Sequence, residues 1–127
     1  MNSTFTSATG LLLILVFVYA VSIGTAAQSG GRLIVLRTAN FGWNIGLNLK
    51  IDGRTVANVV QGRRYDHVLT AGRHVLTVSA APNSYYSEPT STVLNVHSGR
   101  TYVFTGAWDG SNRVVLIPSA LPPGQPY

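Results

Sequence analysis

From Arg32 onward the chain is written in period two. Apolar and polar residues alternate over runs of five to eight, and nearly every run stops at a glycine. Alternation of this kind places one set of side chains on one face of a strand and the rest on the other. Gly46 to Asp52 is the cleanest case, with Leu47, Leu49 and Ile51 on one side and Asn48, Lys50 and Asp52 on the other. Asp52-Gly53 then predicts a hairpin turn, because glycine accepts a positive φ, and Thr55 to Val60 returns as the partner strand. The same rule predicts strands over Tyr65 to Leu69, His74 to Ala80, Thr92 to Val96, Arg100 to Ala107 and Arg113 to Ile117. Arg32 to Arg37 (RLIVLR) is apolar throughout its middle, as expected of a central strand covered on both faces. No segment after Gln28 carries a helical period.

Seven to eight short strands at this spacing predict an all-β fold, a small antiparallel β-sandwich of immunoglobulin-like or transthyretin-like type. Short turns favour antiparallel neighbours. Lone sheets leave an apolar face open, so two sheets must stack. The domain is expected over residues 32–118. Gly30-Gly31 closes a flexible joint over 28–31. Residues 119–127, rich in proline, lack a core-forming pattern and read as a disordered tail.

The first 27 residues are of another kind. All nine basic and all four acidic residues lie at or after Arg32. Leu11 to Ile23 (LLLILVFVYAVSI) is a 13-residue apolar run, and small residues at Thr25 and Ala27 follow it. That is the pattern of a secretory signal peptide cleaved after Ala27, with a signal-peptide helix at its centre. Residues Met1 to Gly10 carry no Lys or Arg, so an uncleaved anchor through residues 11–27 stays open as the alternative. The run is shorter than the roughly 20 apolar residues of a spanning helix. The expected location is periplasmic or secreted, and inner-membrane anchored in the alternative. Removal of 27 of the 127 residues leaves 100 with a net charge of +5.

Composition removes several chemistries. The chain has no cysteine, so it holds no disulfide, thiol nucleophile or cysteine-type zinc site. No G-x-S-x-G elbow, Walker loop or dinucleotide loop occurs. Asp52 and Asp109 precede turn glycines and are expected to shape hairpins. The histidines are His67, His74 and His97. Only His67 and His74, facing each other across an Ala71-Gly72 hairpin, suggest a metal, and the plainer expectation is that the His74 ring caps that turn. No cofactor, metal site or catalytic residue is assigned.

Three segments carry a family resemblance. They are Leu47-x-Leu-x-Ile51-Asp52-Gly53, then Leu69-Thr-Ala-Gly72-Arg-His74-Val-Leu-Thr-Val78, then Val93-Leu-Asn-Val96 with Gly99-Arg-Thr-Tyr102-Val-Phe104. Together, over roughly Gly31 to Trp108, the chain resembles PEGA-type domains and neighbouring bacterial envelope domains of unknown function. It departs from them in having no Pro-Glu-Gly-Ala. The resemblance implies a small sandwich in the envelope or outside the cell and implies no catalytic residues.

Candidate contact residues come from the loops. Trp43, Tyr85, Tyr86 and Trp108 sit in or beside turns, where aromatic side chains suit stacking on sugars or partner proteins. Arg63 and Arg64 form an adjacent pair suited to carboxylate or phosphate. The expected function is therefore an exported, non-catalytic module that binds an envelope protein or an anionic glycan or lipid surface. Export and the missing recognition motif argue against nucleic acid. Two other classes stay open: a membrane-anchored spacer, and a hydrolase in which His67, His74 and Asp66 converge. Oligomeric state is not fixed by the sequence.

Overall fold

The computed structural model describes residues 29–83, 86–110 and 112–125. The expected signal segment, Tyr85 and Tyr127 lie outside the described residues. The strands are β1 (Gly30–Arg37), β2 (Gly46–Ile51), β3 (Arg54–Val59), β4 (Tyr65–Thr70), β5 (Gly72–Ala81), β6 (Thr90–Val96), β7 (Thr101–Asp109) and β8 (Arg113–Pro118). A short 3₁₀ turn (Ala39–Phe41) precedes β2. Two four-stranded sheets form, in the orders β4-β1-β7-β8 and β3-β2-β5-β6. The fold is a small β-sandwich. The immunoglobulin constant arrangement pairs its first strand with its second and sets four strands against three. Here β1 pairs with β4 and β7 and four strands stand against four, so the order differs from that arrangement. Among the described residues no helix is long and apolar enough to cross a membrane.

The alternation sets the core. Leu47, Leu49 and Ile51 of β2, Leu76, Val78 and Ala80 of β5, and Leu94 and Val96 of β6 face Leu33, Val35, Phe104, Val114 and Leu116 from the other sheet. The Asp52-Gly53 hairpin forms as expected, with φ of 52° and 82° at its two central residues, the type I′ geometry that matches strand twist. Gly106 is needed for close packing, since a Cβ there would lie 2.3 Å from Cδ2 of the fully buried Leu47.

Several expectations change. Five of the six strand pairings are antiparallel, and β1–β7 is parallel. The Ala71-Gly72 turn is a corner, not a hairpin. The chain leaves β4 in one sheet and enters β5 in the other, with Gly72 at a φ of 125°. His67 and His74 thus belong to opposite sheets. Gly30 and Gly31 are not a loose joint. They open β1, paired with Thr70 and Leu69. A Cβ on Gly30 would meet the Leu69 carbonyl oxygen at 1.9 Å, and one on Gly31 the Val96 side chain at 2.7 Å. The glycines allow the two sheets and the β6–β7 connection to close together.

The described part of the tail also differs from a free one. The Ser119 N–H donates to the Val103 carbonyl at 2.9 Å. Leu121 is buried on Ile34 and Val103, with Leu36 alongside. The segment straps the outer face of the first sheet. The apolar residue that does this stands alone among prolines, so it gives no periodic signal.

Gly106→Ala is expected to destabilise the domain by about 1–3 kcal/mol, the usual cost of overpacking a filled core. Urea unfolding reads this as a lower midpoint with an unchanged m-value.

Candidate functional site

The register shows which loops share an end. β2 begins at Gly46 opposite Ala81, the last residue of β5, and Leu47 lies opposite Val59, the last residue of β3. β4 begins at Tyr65 opposite Val35, near the end of β1. The connections 38–45, 60–64, 82–89 and 110–112 therefore emerge at one end of the sandwich. Trp43, Tyr86, Arg63 and Arg64 lie in them, and Trp108 lies one residue from the end of β7.

The first connection is held from below. The Arg37 guanidinium donates to the Ile45 carbonyl at 3.2 and 3.1 Å and to the Gly42 carbonyl. Its carbon lies 5.4 Å from the centre of the Phe41 ring, a cation–π contact. Trp108 stacks on the same ring, with centroids 5.2 Å apart and planes 20° apart. Its indole N–H donates to the Phe41 carbonyl at 2.8 Å. Phe41 itself is 2% exposed. Trp108 is therefore half-buried framework, while Trp43, on the loop it supports, is 83% exposed. Phe41, Gly42, Trp43, Asn44, Ile45, Trp108 and Gly110 enclose a shallow aromatic cleft of about 480 Å³.

The β5–β6 loop is tied internally. The Asn83 side-chain oxygen accepts from the Ser87 N–H and hydroxyl, both at 2.7 Å. The Glu88 N–H donates to the Asn112 carbonyl at 2.7 Å, joining this loop to the β7–β8 turn. Tyr86 is 87% exposed and has a φ of 52°. A bulky residue in the left-handed region costs energy that the surrounding bonds must hold. Here those bonds display a phenol to solvent.

On the other side of the Arg37–Ile45 wall lies a second, larger cleft of about 880 Å³. Its lining includes Arg37, Gln61, Arg63, Arg64 and Gln125. The two candidate arginines differ. Arg64 donates to Asp66 at 3.2 Å. Asp66 is already gripped by Arg32 through two bonds of 2.8 and 2.6 Å, which hold its carboxyl below the usual carboxylate range. Arg63 is exposed and makes no side-chain bond among the described residues.

The opposite end holds the other titratable cluster. His74 Nδ1 lies 2.7 Å from Asp52 Oδ2, and its Nε2 lies 2.8 Å from the Thr70 carbonyl. The His74 ring thus caps the corner between β4 and β5. Nδ1 faces the Asp52 carboxylate and Nε2 the Thr70 carbonyl, an arrangement that favours the protonated ring. The Asp52 carboxylate, then the Thr70 carbonyl, raise its pKa. Asp52 is lowered, first by the Val75 N–H and then by His74. The Thr70 hydroxyl is 3.3 Å from Nε2, in the position of a triad nucleophile. Nε2 lies closer to the Thr70 carbonyl, at 2.8 Å, so its nearer partner is the backbone.

His67, His74 and Asp66 do not converge. Asp66 is committed to the arginines, the His67 ring packs against Tyr65 at 4.8 Å, and His74 belongs to the other sheet. No group of three or more His, Asp or Glu side chains is placed to hold a metal among the described residues. Sequence reasoning missed Arg37, Phe41, Gln61 and Gln125, whose roles depend on loop closure. It also missed the Asp52–His74 pair, which is 22 residues apart. No family model matches the chain, and no curated protein matches it.

Two outcomes follow from this geometry. Trp108→Ala should cost about 1–3 kcal/mol through the lost stack on Phe41 and the lost indole hydrogen bond, whereas Trp43→Ala should stay within about 0.5 kcal/mol of the parent. Chemical denaturation of the two variants distinguishes them. The Asp52–His74 pair has its own pH window. Its His74 part is complete below the ordinary histidine value of 6.5 and is lost as pH rises through the raised folded value. Its Asp52 part is complete above the ordinary 3.8 and is lost as pH falls through the lowered one. Asp52→Asn should therefore lower Tm most between pH 3.8 and 6.5, and less as pH rises through the raised His74 value. A loss that stays constant from about pH 5 to about pH 10 would show that the charge on His74 does not contribute.

Proposed function

We propose that this protein is an exported, non-catalytic binding module of the cell envelope. It captures an envelope protein or an anionic envelope polymer through the loop end of its sandwich. The observation that carries this reading is the contrast between Trp43 and its support. An indole that is 83% exposed stands on a loop fixed by Arg37, Phe41 and Trp108. Apolar surface exposed on a rigid support is the usual form of a contact site, because little entropy is lost when it is covered. Tyr86, on its own tied loop, adds a second exposed aromatic at the same end, and Arg63 adds an unneutralised charge.

The remaining support is chemical. The polar clusters are consumed in holding the fold: Asp66 with Arg32 and Arg64, Asp52 with His74, and Asp109 with Arg113. Export rests on the apolar run Leu11 to Ile23 and the small residues behind it, and the likeness to PEGA-type envelope domains agrees with it.

The test is capture from envelope extract by the parent and by a Trp43→Ala, Tyr86→Ala double variant. The double variant should lose at least about tenfold in captured partner, since exposed aromatic anchors carry most of the energy of such contacts. Its unfolding midpoint should stay that of the parent. Undiminished capture would overturn the reading, as would a double variant that no longer folds as the parent does. Intact mass of the same preparation should show a chain that begins at Gln28.

A further inference from the structure

We propose that the basic and aromatic clefts serve one ligand, an acidic polysaccharide whose carboxylates face Arg63 and whose sugar rings stack on Trp43. This deepens the reading of the loop end as a binding surface and rests on it. The two clefts flank the same stretch of chain. Arg37 and Ala39 line the basic one, and Phe41 to Ile45 line the aromatic one. A ligand crossing this wall meets positive charge on one side and a flat apolar face on the other.

The charge is real excess. No carboxylate lines the basic cleft. The nearest acid available to Arg64, Asp66, is already shared with Arg32. Arg37 is bonded to carbonyl oxygens only, so its charge is solvated by dipoles and not cancelled. Arg63 faces no acid among the described residues. A guanidinium in that state favours a carboxylate, which it can bind with two parallel hydrogen bonds.

The rest of the lining sets the kind of anion. Gln61 and Gln125 bring side-chain amides, each able to donate to and accept from hydroxyl groups. An open cleft of about 880 Å³ is far larger than a simple ion needs. It suits a chain of rings that passes through it. The exposed Trp43 indole offers a face complementary to the apolar side of a sugar ring, whose hydroxyls stay at the edge and in water. A uronic-acid polymer supplies the three features together: acid groups, hydroxyls and stackable rings in repeat.

The probe is a polygalacturonate oligomer added to the purified protein. Dextran serves as the neutral comparison. Oligo-dT and phosphatidylglycerol vesicles serve as anions of other classes. The chain has two tryptophans, and both line the aromatic cleft, so their fluorescence reports on ligand arrival. Polygalacturonate should give a saturable change, weakened as salt rises from about 50 to 500 mM because the attraction is screened. Arg63→Ala should weaken binding about tenfold through loss of a charge-assisted contact, with an unchanged unfolding curve. Trp43→Ala should weaken it too, read by calorimetry. The proposal is overturned by no binding, by an unaffected Arg63→Ala variant, or by equal or tighter binding of dextran, oligo-dT or vesicles. Trp43-dependent capture of an envelope protein, without polygalacturonate binding, would overturn this proposal and leave the binding-module reading standing.

Discussion

The sandwich depends on β1 being covered on both faces. Leu33, Ile34 and Val35 are consecutive and all fully buried, which a strand achieves only when its two faces both meet apolar matter. Leu33 and Val35 point into the space between the sheets. Ile34 points outward and is covered by Leu121, returning from the far end of the chain. β1 also carries the parallel pairing to β7 and the antiparallel pairing to β4, so the first sheet is organised around it. A chain without cysteine has no disulfide to fix this organisation, and buried apolar area is the largest favourable term available to it.

What was legible in the sequence was whatever depends on local period. Leu47, Leu49 and Ile51 alternate with polar residues, and their inward placement follows from that alone. The Asp52-Gly53 turn is likewise local, because its two positive φ values belong to adjacent residues. Seven to eight strands and two stacked sheets follow from many such segments. Sheet membership was not legible. Ala71-Gly72 is a turn by composition, and only tertiary packing decides whether the chain doubles back or crosses to the other sheet. The parallel β1–β7 pair joins residues about 70 apart, for which a single sequence carries no signal. Leu121 was missed for a related reason: one apolar residue among prolines has no period.

The candidate site was legible in its residues and not in its division of labour. Trp43 and Trp108 look alike as loop-flanking tryptophans. Position separates them, since Trp108 is on a strand whose inner side meets Phe41 and Trp43 is on the connection above. The same holds for Arg63 and Arg64. Adjacent side chains in an extended segment diverge, so Arg64 reaches Asp66 and Arg63 does not. In each pair one member builds the end of the sandwich and the other is left for solvent. Residue type proposes a contact; the backbone direction at that residue decides whether it is spent on the fold.

The distribution of charge completes that division. The chain has four acidic and nine basic residues, and three of the four acids are committed to ion pairs that fix strands or turns. Asp52 and His74 lock the end away from the exposed aromatics. Asp66 ties Arg32 and Arg64 along the first sheet, and Asp109 pairs with Arg113 at the last hairpin. Because the acids are few and so engaged, part of the surplus positive charge falls on residues that hold nothing together, Arg63 among them. Exposed arginines contribute little to stability, so their surplus adds little to folding and much to the potential around the molecule. A net charge that does not serve the fold acts on whatever approaches, and at the loop end it acts beside an exposed indole.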